Sequence, residues 1–287
     1  MSDDIAEWRP SEIELGRRSF RRRQTVRSVL IGAASTVVLA VALWLTVVNT
    51  PGWAAVQQSF FDPATVVEAW PRVFAGFVLN IEVLLVAAVG VAILGTLIAA
   101  ARTLRGPIFF PLRALAAGYT DLFRGLPLII VLYLVGFGIP GLGFTSARVP
   151  AEVWGTVALV LTYSAYVAEV LRAGIEAVHP SQVLAARSLG LTRAQALRQV
   201  VLPQAVRKVS PALMNDFISM QKDVGLISVL GAIDAVRAAQ IETAEAFNFT
   251  PYVLAGVLFV LLALPLIRLT DWYSARLRRR EQTGSLL

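Results

Sequence analysis

The sequence predicts an all-α polytopic membrane protein, and three observations carry that prediction. Hydrophobic residues make up 56% of the chain and the mean hydropathy is +0.67, well above an ordinary soluble domain. Charge-poor runs recur, each near the ~20 residues that a helix needs to cross a bilayer. The segments between those runs alternate between rich and poor in arginine, as the positive-inside rule requires of a multi-pass chain.

Taken in order, residues 1–27 form a basic leader with seven arginines, including Arg17, Arg18, Arg21, Arg22 and Arg23. The uncharged run Val29–Val48 makes residues 28–48 an accessory span. Its leader and its apolar stretch are too long for a cleaved signal, and Trp53-Ala54-Ala55 only loosely mimics a cleavage site, so the helix is retained. Residues 49–72 read as an extracytoplasmic loop. A core from 73 to 275 holds five more spans: Val83–Ala101, Gly125–Ala147, Val153–Ala168 extended past Glu169, roughly Val209–Gly231, and Ala246–Ile267. The fifth span of the six, Val209–Gly231, is the least clean because it carries Asp216, Lys222 and Asp223. A basic tail, 276–287, closes the chain.

Orientation follows from the arginines. The leader, the loop bearing Arg102, Arg105 and Arg113, the polar segment 180–203, and the tail with Arg276 and Arg278–Arg280 all lie on one side. The opposite loops hold only Arg72, Arg148 and Arg237. Both termini are therefore expected in the cytoplasm. The net charge of +7 is read mainly as topology, with attraction to anionic lipid as a secondary effect. Beside a span, the Arg17–Arg27 cluster does not argue for nucleic acid.

The segment from Gln182 to Ala205 is polar, basic and helical in pattern. Pro180 suits a first helical turn, where its missing N–H costs nothing. Gly190 suits a left-handed position after a helix end. Thr192 and Gln195 read as a capping box that starts a second short helix, with Pro203 expected to end it. Two short helices hinged at a glycine and carrying Arg187, Arg193 and Arg198 make a docking surface.

These residues carry a resemblance. The spacing is similar to the cytoplasmic coupling loop of ABC-importer permeases: E-A-A, three residues, G, then nine residues to an I-x-L-P ending. Ala185 and Ala186 match the alanines, Gly190 the glycine, and Val200, Leu202 and Pro203 the ending, while Leu184 stands where the glutamate is expected. Tyr119–Gly138, Ala165–Val178 and Gln221–Leu230 resemble the polar amino-acid uptake permeases. Lys222 and Asp223 match the last of these motifs, with Val224 and Gly225 in place of Thr and Ser. Several linked motifs in order are more specific than any one. The resemblance covers roughly Phe74 to Tyr273. It implies a type I ABC importer transmembrane domain of about six helices in a prokaryotic plasma (inner) membrane. Gln182, Leu184, Ala185, Ala186, Arg187, Gly190 and Pro203 would couple to an ATPase. It also implies two permease chains, two ATPase subunits binding ATP and Mg, a solute-binding protein outside, and a polar amino acid as solute, glutamate or glutamine as first guess.

The missing chemistry agrees with a passive partner. Neither lysine, Lys208 or Lys222, sits in a G-x-x-x-x-G-K-[ST] phosphate loop, so ATP hydrolysis is expected on another subunit and no cofactor on this one. There is no cysteine for disulfide or thiol chemistry. The single histidine, His179, reads as a loop residue or helix cap rather than a metal ligand. No serine has the elbow or histidine partner of an acyl-transfer nucleophile.

Charges within spans are costly and face a cavity or a partner, which makes Arg124, Glu169, Asp216, Lys222 and Asp223 the candidates for pathway or gate. Arg124 fits either snorkelling toward headgroups or an ion pair at a gate. Glu169 and Arg172, three apart, fit an intrahelical pair. Lys222 and Asp223 point about 100° apart and need different partners. Asn80 and Glu82 fit helix–helix hydrogen bonds. Gly90, Gly95, Gly125, Gly136 and Gly138 read as packing positions, and Pro127 and Pro265 as kinks. Asp234, Arg237, Glu242 and Glu245 suit an amphipathic helix at the outer interface. Two alternatives remain, an ion-coupled secondary transporter and a non-transporting membrane scaffold. A secondary transporter needs midplane carboxylates such as Asp216 and Asp223 but gives the basic loop no purpose. A scaffold leaves the intramembrane charges without one. The resemblance favours a heterodimer, because Leu184 removes a charged contact that a companion permease with the glutamate would keep.

Overall fold

The computed structural model describes residues 11–104, 106–143 and 149–284. Arg105 and Arg148, the side chains of Arg278–Arg280, and the ends of the leader and tail lie outside the described residues. The chain divides into a unit of residues 1–58 and a unit of residues 59–287.

In the first unit, Ser11 caps α1 (Glu12–Val48) by accepting the Glu14 N–H at 3.3 Å. The helix runs 37 residues without a break and buries none of them. A turn at Asn49–Gly52 leads into α2 (Trp53–Phe60), and Trp44 meets Trp53 edge-on at 6.4 Å.

The second unit begins with α3 (Pro63–Thr103), started by the Asp62 cap and by Pro63 at the first helical position. Residues 49–72, expected as a loop, are therefore mostly helical. The helix that holds the apolar span begins twenty residues before Val83, more than five turns outward, and continues through Pro71. Along α3, Val73, Phe77, Asn80, Leu84, Ala87 and Val91 are buried at helical spacing, while Leu85, Val86, Val89 and Ile93 are exposed apolar residues, as suits a lipid-facing side.

The next stretch is bent. Helix α4 (Phe110–Gly125) and the pair α5 (Leu128–Tyr133) and α6 (Ile139–Gly141) meet at 110° across Leu126-Pro127. A residue before proline is pushed out of the helical region, and Leu126 is extended at φ −92°, ψ 134°. The span expected at 125–147 is thus the second arm of a broken pair. Helix α7 (Ala151–Glu176) follows, then the short α8 (Pro180–Ser188) and α9 (Arg193–Ala196). Pro203 does not end the helix there. A π-helical stretch at Leu197–Val201 carries the chain directly into α10 (Leu202–Asp223). The wider π turn relieves the clash that a proline ring makes with the carbonyl four residues earlier. The same device precedes Pro140, at Leu134–Gly138.

Helix α10 tightens into a 3₁₀ stretch, Val224–Leu230, and stops at Gly231, whose φ of 91° is left-handed. Helix α11 (Ala235–Ala246) and the long α12 (Thr250–Gly284) complete the chain. Among the described residues four helices are long and apolar enough to cross a membrane on their own, and the number reaches six if each of the two bent pairs is one span.

Helices α3, α7 and α10 form the centre. No hydrophobic force draws helices together in lipid, so close backbone approach at small residues does the work. A Cβ on Gly95 would fall 2.9 Å from Val167, and one on Gly155 would fall 2.7 Å from Ile227. Gly90 and Gly136 are close approaches too, but nothing lies within 4 Å of that position on Gly125 or Gly138. Helix α11 corrects the expected interfacial helix, since it is docked against α3 and α12 with Asp234 and Glu242 buried. Arg72 of α3 reaches Glu242 at 3.0 Å and Glu245 at 3.3 Å.

A buried amide holds the start of α11. Asn80 donates to the Val224 carbonyl at 3.2 Å and to Asp234 Oδ2 at 3.0 Å, and its Oδ1 accepts the Ala235 N–H at 3.0 Å. Glu82, by contrast, is exposed and makes no helix–helix hydrogen bond among the described residues. Asn80→Ala leaves the fully buried Asp234 and the Val224 carbonyl short of a partner, which costs ~1–3 kcal/mol. A lower Tm of the detergent-solubilised chain, with Leu85→Ala on the lipid-facing side as control, checks this.

Candidate coupling loop and charged sites

The polar loop is built by its caps. His179 precedes α8, its Nδ1 accepting the Ser181 N–H at 3.2 Å, and Pro180 takes the first helical position. At the far end Leu191 N–H bonds the Ala186 carbonyl at 3.2 Å and Gly190 N–H the Arg187 carbonyl at 3.0 Å. That pair of bonds, with Gly190 at φ +83°, is a Schellman closure. Arg187 also donates to the Leu191 carbonyl at 2.9 Å. The capping box is present: Gln195 N–H to Thr192 Oγ1 at 3.2 Å, and Thr192 N–H to Gln195 Oε1 at 2.8 Å. Local chemistry therefore fixes every bend of this loop.

Its two sides differ. Ala186, Ala196, Val201 and Val178 are buried, and the last two pack with Ala205 under the loop. Gln182, Leu184, Ala185, Arg187, Gly190 and Pro203 are exposed. Of the seven residues expected to couple, Ala186 alone faces inward and serves as a foot rather than a contact. Leu184 is 66% and Leu189 83% exposed, so the outer side presents two large apolar side chains beside Arg187. Lys208 of α10 donates to the Ala177 carbonyl at 2.8 Å, which ties the two ends of the loop together.

The five charged candidates fall into two groups. In the first, Glu169 of α7 takes Arg172 of its own helix at 2.5 Å, Arg102 of α3 at 2.7 Å and Arg124 of α4 at 3.8 Å. Arg172 also reaches Glu176 at 2.5 Å, and Arg102 donates to Thr120 at 2.9 Å. The intrahelical pair read from the sequence is thus one edge of a cluster joining three helices. Arg124 is an ion-pair member rather than a snorkelling residue. With Glu169 and Arg102 mostly buried, loss of Glu169 would leave Arg102 without an ion-pair partner, while Arg172 would keep Glu176. Arg102 escaped the sequence reading because it counted only as a basic loop residue.

The second group lies on α10. Asp223 accepts the Tyr163 hydroxyl of α7 at 2.7 Å. Asp216, seven residues earlier and so near the same face, has a buried Oδ2 with no hydrogen-bond partner. Lys222 is exposed and makes no ion pair or side-chain hydrogen bond among the described residues. It ends a row of exposed positions, Lys208, Ala212, Asn215, Ser219 and Lys222, spaced by four and three. That row is one stripe of a helix, and its polar character is wrong for lipid. Tyr163 was missed because an aromatic residue in a span reads as packing.

The sequence profile of the family described as binding-protein-dependent transport system inner membrane component matches residues 97–279. The arginine transport system permease protein ArtQ of Bacillus subtilis (strain 168) is 34% identical over 196 residues, 68% of this chain and 87% of that one. The probable glutamine ABC transporter permease protein GlnM of the same organism is 31% identical, over 71% of this chain and 92% of its own. A crystal structure of an amino acid ABC transporter with histidines superimposes with a TM-score of 0.68 at 34% identity, covering 75% of this chain and 98% of that one. An inward-facing methionine transporter, MetNI, shares the fold at a TM-score of 0.56 and 18% identity, over 76% of this chain and 99% of that one. Residues 1–58, with α1, lie outside the family match. With its broken spans, capped loop and charged helix accounted for, the chain belongs to the binding-protein-dependent transport-system membrane components, among the amino-acid ABC permeases.

Proposed function

We propose that this chain is the translocating subunit of an ATP-driven importer of polar amino acids, glutamate or glutamine first among them, set in a prokaryotic inner membrane with both termini cytoplasmic. A solute-binding protein delivers the amino acid outside, and separate ATPase subunits holding ATP and Mg engage the 180–203 loop. The amino-acid class rests on the arginine- and glutamine-named relatives. The orientation rests on the arginines that flank the spans.

One observation carries the mechanism. The helix that begins at Arg193 in the loop continues through the π stretch and α10 to Asp223, a rod of ~45 Å at 1.5 Å per residue. Its loop end is braced by the capping box and by Lys208, and its other end carries Asp216, Lys222 and Asp223. A displacement of the loop by the ATPase moves the charged end of the rod as one body, as a two-state hinge or shear transition needs. The solute is a zwitterion. Lys222 suits its carboxylate, and Asp216 and Asp223 suit its ammonium, by charge complementarity. The Glu169 cluster keeps α3, α4 and α7 in register while α10 moves.

ATP-dependent uptake of radiolabelled amino acids into proteoliposomes tests the whole reading. Uptake driven by an ion gradient without an ATPase subunit would favour a secondary transporter, and no uptake with either, a scaffold. Three outcomes are expected of variants and composition. Gly190→Val places a β-branched residue at φ +83°, costing ~1–3 kcal/mol. Uptake falls at least about tenfold while membrane insertion persists, and Gly190→Asn, which tolerates the left-handed region, stays near wild type. Lys222→Gln raises the KM for uptake by about tenfold, the loss of one charge-assisted hydrogen bond, with basal ATP hydrolysis of the complex unchanged; an unaltered KM removes Lys222 from the pathway. Finally, Leu184 replaces a charge-assisted contact worth ~1.5–3 kcal/mol, and a heterodimer with a companion keeping the glutamate retains one copy. Native mass spectrometry of the solubilised complex is expected to show a second, non-identical permease; two copies of this chain and no other would overturn that.

A further inference from the structure

The basic half of α1 is not explained by transport through the core, since it precedes the family match. Orientation needs a surplus of positive charge, not a particular arrangement of it. The arrangement is particular. Helix α1 continues unbroken from Val48 back to Glu12, so residues 12–28 extend ~25 Å beyond the apolar run. Arg17 and Arg21 share one side of this extension, Arg18 and Arg22 the next, and Arg23 and Arg27 a third, at 100° per residue. Among the described residues only Arg18 is ion-paired, to Glu14 at 3.0 Å. Arg23 and Arg27 lie within about 9 Å of the start of the apolar run, inside one Debye length of the bilayer surface.

One side of this collar is grooved. Arg22, Arg23 and Arg27 line a shallow groove with Val26, Leu30 and Ile31. Along the helix Arg22 and Arg23 lie toward the leader, Leu30 and Ile31 toward the span, and Val26 and Arg27 between them. We propose that this groove binds an anionic phospholipid, its phosphate forked by the arginines and an acyl chain laid along Val26, Leu30 and Ile31. Guanidinium forks match phosphate oxygens bidentately. Inorganic phosphate leaves the apolar end unused. The groove continues onto Leu30 and Ile31 inside the apolar run, where lipid rather than a soluble partner is at hand. The groove binds lipid from the leaflet that faces the leader, and a bilayer poor in acidic lipid leaves Arg22, Arg23 and Arg27 unpaired beside its surface.

The full chain, reconstituted in phosphatidylcholine vesicles with spin-labelled phosphatidylglycerol or spin-labelled phosphatidylcholine, reports lipid preference through the motionally restricted fraction of its EPR spectrum. Wild type is expected to prefer phosphatidylglycerol, and the combined variant R22Q/R23Q/R27Q to lose about fivefold or more of that preference. The variant R22K/R23K/R27K, which keeps the charge but not the fork, should fall between wild type and the glutamine variant. Arg17, Arg18 and Arg21 remain to hold orientation, which labelling of a cysteine introduced into the cysteine-free chain verifies. Raising salt to about 0.5 M should erode the wild-type preference. Inorganic phosphate at matched ionic strength should erode it no further than chloride. A preference equal in wild type and the glutamine variant overturns the proposal, as does one that is flat with salt, a measurement independent of any variant. Selective displacement by inorganic phosphate would assign the groove to the free ion. An unchanged lipid preference with loss of a co-purifying protein subunit would assign it to a protein partner.

Discussion

Helix α7 can lie against α3 on one side and α10 on the other only at glycine width, and the functional geometry hangs on that approach. Inside a bilayer the apolar side chains gain nothing by leaving lipid for protein, so close fit comes first in holding the three together. Gly90 and Gly95 admit Val160 and Val167 between α3 and α7, while Gly155 and Gly174 admit Ile227 and Val209 from the α10 side. The polar contacts then act over distances these glycines set. Arg102 reaches Glu169 across the first seam, and Tyr163 reaches Asp223 across the second. Both are short bonds in surroundings that strengthen electrostatics. Widening either seam by one methyl group would lengthen them past usefulness.

The two seams have different chemistry. The α3–α7 seam ends in ion pairs among arginines and a glutamate, costly to separate because neither partner can return to water. Along α7 and α10 there is one tyrosine–carboxylate bond, one lysine on a helix terminus and a carboxylate oxygen with nothing attached. A bundle required to take two conformations is expected to slide where its polar contacts are fewest. Under the proposed mechanism the stronger seam would belong to the fixed part of the subunit and the weaker one to the moving rod.

Much of this was legible in the chain. Four of the six hydrophobic stretches, the cap at Thr192 and the left-handed Gly190 are local properties, written within a few residues, and the structure has each of them as a continuous helix, a capping box and a positive φ. What escaped was non-local or was a local rule overridden. Arg102 and Glu169 lie 67 residues apart, and no spacing rule connects them. Pro203 carries a strong helix-stop signal, yet the preceding π turn accommodates it and the helix continues. Asp62 and Pro63 are a start signal placed before the hydrophobic run, so the helix begins where the capping chemistry is rather than where the lipid is. Leu126-Pro127 was seen as a kink, but its size depends on α4 packing across α3 and α7, which no window of sequence contains.

The π turn at Leu197–Val201 also sets an angle. A π turn holds one residue more than the α turn it replaces, and each residue of an α-helix advances 100° about the axis. The α9 surface and the charged face of α10 are therefore phased by that single extra residue. Shortening the stretch to an ordinary α turn would leave both ends folded and capped, but would turn one about a quarter-circle against the other. The loop would still receive its push, with Asp216 and Lys222 facing the wrong neighbours. If the loop drives α10 as proposed, the helix would carry the displacement and the count of residues between two of its turns would set which way the charged face points.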